Sequence, residues 1–287
     1  NVVYEDNHII IIDKKPGQIV QGDKTGDKPL SELVKEWIKE KYSKPGNVFC
    51  GVAHRLDRPV GGLVVFAKTS KALARLNETF RTGKVTKKYL ALTRNRPPRD
   101  ADRLTGYITS TERNNKSYLS PVPKPGAKEA ALTYRYLGAS DRYHLVEVQL
   151  ETGRKHQIRV QMSSIGCPIK GDLKYGDKRS NPDGSISLRA HRVTFVHPVS
   201  GNLIDVTAPL PETTAAMTRI DVGTVLRQRV PGFARLMPGF AVRWLERLIC
   251  QDEMNFLLEK GDGLEGAAFA DSVLDNLGIT YDVKGDL

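Results

Sequence analysis

With 287 residues, 39% of them hydrophobic, the chain is long enough to bury a substantial core. Its 44 Lys and Arg against 33 Asp and Glu leave a net charge of +11, which suits a phosphate-rich partner and argues against a basic one. No apolar run approaches the length of a membrane span. Cys50, Cys167 and Cys250 show neither pairing nor metal-ligand spacing and follow no secretory leader, so a reducing cytoplasm is expected.

Strand-like runs separated by Gly, Pro, Asn and Asp turns are predicted at residues 2–12, 62–68, 88–93, 132–137, 144–150, 156–162, 190–196 and 203–206. Apolar residues at three- and four-residue spacing predict helices over 29–42 and 71–82. More strand than helix, in sequential hairpins, predicts an α+β domain on a mixed, largely antiparallel sheet with flanking helices. Residues 94–102, 112–126 and 177–187 are polar and Pro-punctuated, and are predicted as loops. Charge divides the chain: residues 1–212 carry 36 basic and 22 acidic side chains (+14), and residues 213–287 carry 8 and 11 (−3). A domain over 1–212 and a separate helical extension over 213–287 are expected.

Two clusters stand out. His54-Arg55-Leu56-Asp57-Arg58-Pro59-Val60-Gly61-Gly62 places one carboxylate between two guanidinium groups, ahead of a turn and the apolar run 63–67. A carboxylate beside cations stays ionised and can act as nucleophile or electrostatic partner. Taken alone, such a loop reads at least as well as a structural salt-bridge cluster. The second cluster is Glu151-Thr152-Gly153-Arg154-Lys155-His156-Gln157-Ile158-Arg159-Val160-Gln161. Its alternation from Gln157 predicts a strand with Gln157 and Arg159 on one face and Ile158 and Val160 on the other, suited either to a wall that binds polyanion or to a solvated basic face.

These clusters fall in one order with Lys87-Lys88-Tyr89-Leu90-Ala91-Leu92, Gly166-Cys167-Pro168-Ile169-Lys170-Gly171-Asp172 and Leu188-Arg189-Ala190-His191-Arg192. Together with the opening Val3-Tyr4-Glu5-Asp6-Asn7 and Asp13-Lys14-Lys15-Pro16-Gly17, the set resembles the ribosomal large-subunit (RluA-type) pseudouridine synthases over residues 1–212. The resemblance implies isomerisation of uridine in structured RNA, rRNA or tRNA, with neither redox cofactor nor metal. It implies Asp57 as the catalytic carboxylate, Arg159 as the ion-pair partner that aims it, and Tyr89 as a ring that stacks on the base and mediates proton transfer. Ile158 would line the base pocket, and Arg55 would enter the stack vacated by a flipped base. Arg58, Lys88, Arg154 and Lys155 are the accompanying candidates for RNA contact, and His54 is expected to brace the loop. Where many members continue with an acidic residue and Thr-Ser-Gly, this chain has Arg58-Pro59-Val60-Gly61-Gly62, which leaves the particular RNA open.

A monomer is expected, with no membrane role for 1–212. Helical patterns are predicted at 222–229, 240–250, 252–259 and 266–277. Residues 217–287 resemble the N-terminal segment of haemolysin-like, phospholipid-type acyltransferases without the His-x4-Asp motif, and a helical extension packed on the main domain is the alternative. A catalytically inactive RNA-binding protein that keeps the synthase fold is the competing function. A glycosidase fits less well, because hydrolysis usually employs two carboxylates.

Overall fold

The computed structural model describes residues 1–139 and 142–210, and beyond them the backbone of Ile220–Asp221 and Leu248–Ile249. The chain divides into two units, Asn1–Leu210 and Pro211–Leu287. In the second, Ile220–Asp221 pairs antiparallel with Leu248–Ile249, so the helix predicted over 240–250 gives way to strand at those two positions, where the apolar pair takes a ladder partner instead of a helical turn. The remaining helices predicted beyond residue 213 lie outside the described residues.

The first unit is an α+β domain. Its strands are β1 (Val2–Glu5), β2 (Ile9–Lys14), β3 (Gly51–Val52), β4 (Gly61–Ala67), β5 (Val85–Thr93), β6 (Ala101–Thr111), β7 (Lys116–Ser120), β8 (Lys128–Ala139), β9 (His144–Leu150), β10 (Leu188–Val196) and β11 (Leu203–Thr207). Its helices are α1 (Leu30–Lys41), α2 (Ser70–Arg81) and α3 (Gln157–Ser164). The strands form one 11-stranded sheet in the order β1-β2-β4-β10-β5-β9-β8-β6-β7, with β3 on β4 and β11 on β10. The β4–β10 pair is parallel and the other ladders of this sheet are antiparallel. The domain is thus mixed and largely antiparallel.

The continuous apolar runs of β2 and β4 follow from burial on both faces. Ile10, Ile12, Val64 and Phe66 point to one side, where Leu30, Val34 and Ile38 of α1 cover them. Ile9, Ile11, Leu63 and Val65 point to the other, under Ala72 and Leu76 of α2. Thr69 starts α2 by accepting the Ala72 N–H on its hydroxyl at 3.1 Å, satisfying one of the donors a helix N-terminus leaves open.

The parallel pair sets the shape of the site, and it depends on one glycine. Gly62, at φ +112°, sits against β10 so closely that a Cβ would lie 2.2 Å from the Ala190 carbonyl oxygen and 2.6 Å from its nitrogen. Both obstacles are backbone, and the backbone angle is one that L side chains rarely adopt. Gly62→Ala should therefore destabilise the domain by about 2–4 kcal/mol in urea unfolding; a change of under about 0.5 kcal/mol would refute the reading.

Two expectations fail here. Residues 157–164 form α3, not a strand, with Gln157 through Met162 all buried. A helix buried all round shows neither a helical nor an alternating pattern, so the short Gln-Ile-Arg-Val-Gln alternation was no guide. The polar stretches 94–102 and 112–126 are not pure loops either: β6 begins at Ala101, and β7 occupies Lys116–Ser120.

Candidate active site

Asp57 lies on the loop between β3 and β4, which is tied down on several sides. His54 Nε2 accepts the Val65 N–H at 3.0 Å, and its ring stacks on Phe80 with centroids 4.7 Å apart. Burial holds His54 neutral, its pKa lowered to about 3, so it braces the loop as expected. Lys14 is fully buried, and its ammonium donates to the carbonyl oxygens of Gln18 (2.8 Å), Lys15 (3.2 Å) and Arg58 (3.2 Å). Burial lowers its pKa to about 8, against the opposing pull of Asp57. The loop then closes on itself, the Val60 N–H donating to the Asp57 carbonyl at 3.0 Å, and the Ile186 N–H reaches the Pro59 carbonyl at 3.1 Å.

The facing wall is the turn into α3. His156 takes φ +54° as the residue before the helix. The Gln157 side chain accepts from the Thr152 hydroxyl (2.8 Å) and the Arg154 N–H (2.9 Å) and donates to the Ala131 carbonyl (3.0 Å), which folds β9 sharply into α3. The turn aims the Arg159 guanidinium at two carboxylates. Its Nε and Nη2 donate to Asp172 at 2.7 and 2.9 Å, a two-bond fork, and its Nη1 donates to Asp57 Oδ2 at 3.1 Å. Arg159 and Asp172 are buried, whereas the Asp57 side chain is 29% exposed. His156 Nε2 approaches the same Oδ2 at 3.6 Å. Among the described residues no hydrogen bond or ion pair reaches Asp57 Oδ1. One oxygen of the carboxylate is thus tethered and the other is free.

Asp57 faces a cavity of about 820 Å³ lined also by Tyr89, Ile158, Leu188, Lys87 and Lys174. Tyr89 is 7% exposed, and burial, with the nearby Asp57, raises its phenol pKa, so the hydroxyl keeps its proton at neutral pH. Ile158 belongs to both the cavity and the core. That dual role follows from α3: neighbours in a helix are turned by about 100°, so Ile158 and Arg159 both border the cavity, whereas a strand would have sent them to opposite faces.

Arg55, Arg58, Arg154 and Lys155 stand around the cavity. Among the described residues, neither arginine that flanks Asp57 in the sequence pairs with it. Arg58 is engaged with the Gly17 carbonyl at 3.1 Å and with Asp27, and Arg55 is exposed without an ion pair among the described residues; Arg159 is the arginine that reaches Asp57. Side chains alternate along a strand, so Lys87 shares the cavity face with Tyr89, and Lys88 instead pairs with Glu147 at 3.3 Å. The candidate set also omitted Asp172, His156, Tyr175 and Lys174. The Gly171-Asp172 dipeptide was visible in the motif, but nothing in one dimension joins it to Arg159. Among the described residues no second carboxylate is placed for hydrolysis: Asp172 is consumed by Arg159, and Asp23 lies at the exposed rim, bound to Thr25.

Comparison with known proteins bears on this geometry. The profile of a family described as RNA pseudouridylate synthase matches residues 8–164, and one described as acyltransferase matches residues 224–286. A ribosomal large subunit pseudouridine synthase D of Xanthomonas campestris is 31% identical over 232 residues, covering 74% of this chain and 66% of that protein. An uncharacterized RNA pseudouridine synthase of Chloroflexus aurantiacus is 39% identical over 185 residues, covering 64% of this chain and 54% of that protein. The chain thus spans about two thirds of the first relative and about half of the second. Human RNA pseudouridylate synthase domain containing 4 shares the fold, with a TM-score of 0.62 and 24% identity over 74% of this chain and 89% of that one.

Proposed function

We propose, for a chain that belongs to the RNA pseudouridylate synthase family, that it isomerises uridine to pseudouridine in structured RNA. One observation carries the reading. Asp57 presents a free Oδ1 to a basic cavity, while Arg159, itself locked by Asp172, holds the other oxygen. The reaction breaks the bond from N1 of the base to C1′ of the ribose, turns the base, joins C5 to C1′ and releases the C5 proton, while N1 takes up a proton from water. An aimed, ionised carboxylate beside C1′ can act as nucleophile or stabilise the positive charge that develops there. Tyr89 gives the uracil ring a wall to lie against and a hydroxyl donor. Arg55, exposed at the rim, is suited to fill the stack that a flipped uridine leaves, and Arg154, Lys155, Lys87 and Lys174 to hold phosphates.

Ribosomal RNA is the first substrate to test, because the Xanthomonas relative is named for the large ribosomal subunit; transfer RNA is the second. We place the reaction in the cytoplasm, in keeping with free thiols at Cys50 and Cys167, and in a monomer. RNA carrying 5-tritiated uridine should lose tritium to water on incubation with the protein, and mapping should then place pseudouridine at discrete positions. Tight binding without tritium release from either RNA would instead support an inactive RNA-binding protein.

The described residues that line the cavity all belong to Asn1–Leu210, and the charge reverses beyond residue 212. A chain ending at Thr214 should therefore unfold cooperatively and isomerise uridine within about twofold of the full-length rate. Insolubility or loss of activity would mean that the C-terminal segment completes the catalytic domain.

A further inference from the structure

We propose that His156 is a positioning residue, held by Tyr175 in the tautomer whose Nε2–H points at Asp57 Oδ2. The inference rests on the functional reading above and extends it to residues outside the Asp57–Tyr89–Arg159 set.

The proton assignment follows from the donors present. The Tyr175 oxygen accepts the Ser117 N–H at 2.7 Å, and a backbone amide can only donate. The same oxygen lies 2.8 Å from His156 Nδ1. If the tyrosine O–H donates to Nδ1, the imidazole proton is left on Nε2, facing the carboxylate. The opposite tautomer would turn a nitrogen lone pair toward the Asp57 carboxylate and load the Tyr175 oxygen with both the Ser117 N–H and the Nδ1–H, its own proton passing to the Ser117 side chain. Tyr175 is itself fixed: it is 5% exposed, and the Arg159 guanidinium lies 5.0 Å from its ring centre. The segment from Asp172 to Tyr175 thus secures both groups that meet Asp57, Arg159 through the carboxylate fork and His156 through the phenol.

The neutral state matters to the chemistry. An imidazolium beside Asp57 would add a second cation at the oxygen that Arg159 already holds and damp the carboxylate further, whereas a neutral N–H aims it without another charge. His156 is faced by Asp57 from the loop, by Arg159 from α3, by Lys155 beside it and by Lys174 from the turn that carries Tyr175. Burial and the three cations outweigh Asp57 and lower its pKa to about 4. The 3.6 Å separation from Oδ2 exceeds hydrogen-bond length, as catalytic contacts often do before substrate tightens them.

The test uses the full chain labelled with 15N-histidine. Long-range 1H–15N spectra at neutral pH should show His156 neutral with its proton on Nε2, and Tyr175→Phe should convert it to a mixture of tautomers. Tyr175→Phe should also lower kcat about tenfold, the scale of one hydrogen bond, with the KM for RNA unchanged. His156→Gln, which keeps an N–H donor, should retain more activity than His156→Ala, and Tyr175→Phe should cost nothing further in the His156→Ala background. A proton on Nδ1, an imidazolium at neutral pH, or effects of the two substitutions that multiply would overturn the proposal. The spectra decide it even if no isomerase activity is found, so its failure is distinguishable from failure of the functional reading.

Discussion

Asp57→Asn should abolish uridine isomerisation while leaving RNA affinity intact or improved. The amide has nearly the shape of the carboxylate, and its carbonyl oxygen can still accept from Arg159 Nη1, so the loop anchored by Lys14 and His54 has no reason to move. What disappears is the negative charge and the nucleophilic electron pair on Oδ1. Removing a nucleophile outright typically costs on the order of 10⁴-fold or more in kcat. Binding responds in the other direction. The cavity is bordered by Arg55, Arg58, Lys87, Arg154, Lys155 and Lys174, and one fewer carboxylate among them reduces repulsion of phosphate. The check is a tritium-release rate and an RNA titration at a single stated salt concentration. An Asn variant that retained more than about one per cent of wild-type turnover would sink the assignment of Asp57 as the reacting group.

How far the sequence foretold this site depends on the distance over which each interaction is formed. Local signals were reliable. The alternation of His144–Leu150 places β9, and the spacing of apolar residues places α1 and α2, because each pattern reports a buried face made by neighbours in the chain. The edge hairpin failed because only Gly106 and Ile108 of β6 are buried, so Ala101–Thr111 carries the polar composition of a loop. The turn into α3 failed for the opposite reason: every side chain from Gln157 to Met162 is buried, and no pattern survives. Within the site, the Asp57–Arg159 pair was expected because the family resemblance implied it. The fork from Asp172 and the Tyr175 contact to His156 were not, since an Asp and a Tyr among glycines read equally well as turn formers. Even the choice between Lys87 and Lys88 needed the strand's facing, which Tyr89 could have supplied once its own side was known.

Arg159→Lys should lose turnover and stability together, and the combination identifies what the guanidinium does. Arginine makes three directed bonds here, two to Asp172 and one to Asp57. A lysine ammonium keeps the charge, but it cannot span both carboxylates in the planar arrangement. Its best single position is against Asp172, which is 1% exposed and cannot be left unpaired in the interior. Asp57 would then lose its tether, and its two oxygens would become equivalent and free to rotate. We expect kcat to fall by about 10²-fold or more, the penalty for misplacing a reacting group by roughly an ångström. The KM for RNA should change little, because Arg159 is buried and its donors are taken up by Asp172 and Asp57. Stability should fall by about 3 kcal/mol in urea unfolding, as when one partner of a buried ion pair is compromised. Asp172→Asn offers the complementary test: it spares the Arg159–Asp57 contact in principle but removes the charge that orients the guanidinium, so it should reproduce the loss of turnover. An Arg159→Lys chain that turned over like wild type would pass the aiming of Asp57 to another cation, with Arg55 and Arg58, the two guanidinium groups nearest it in sequence, the first to replace.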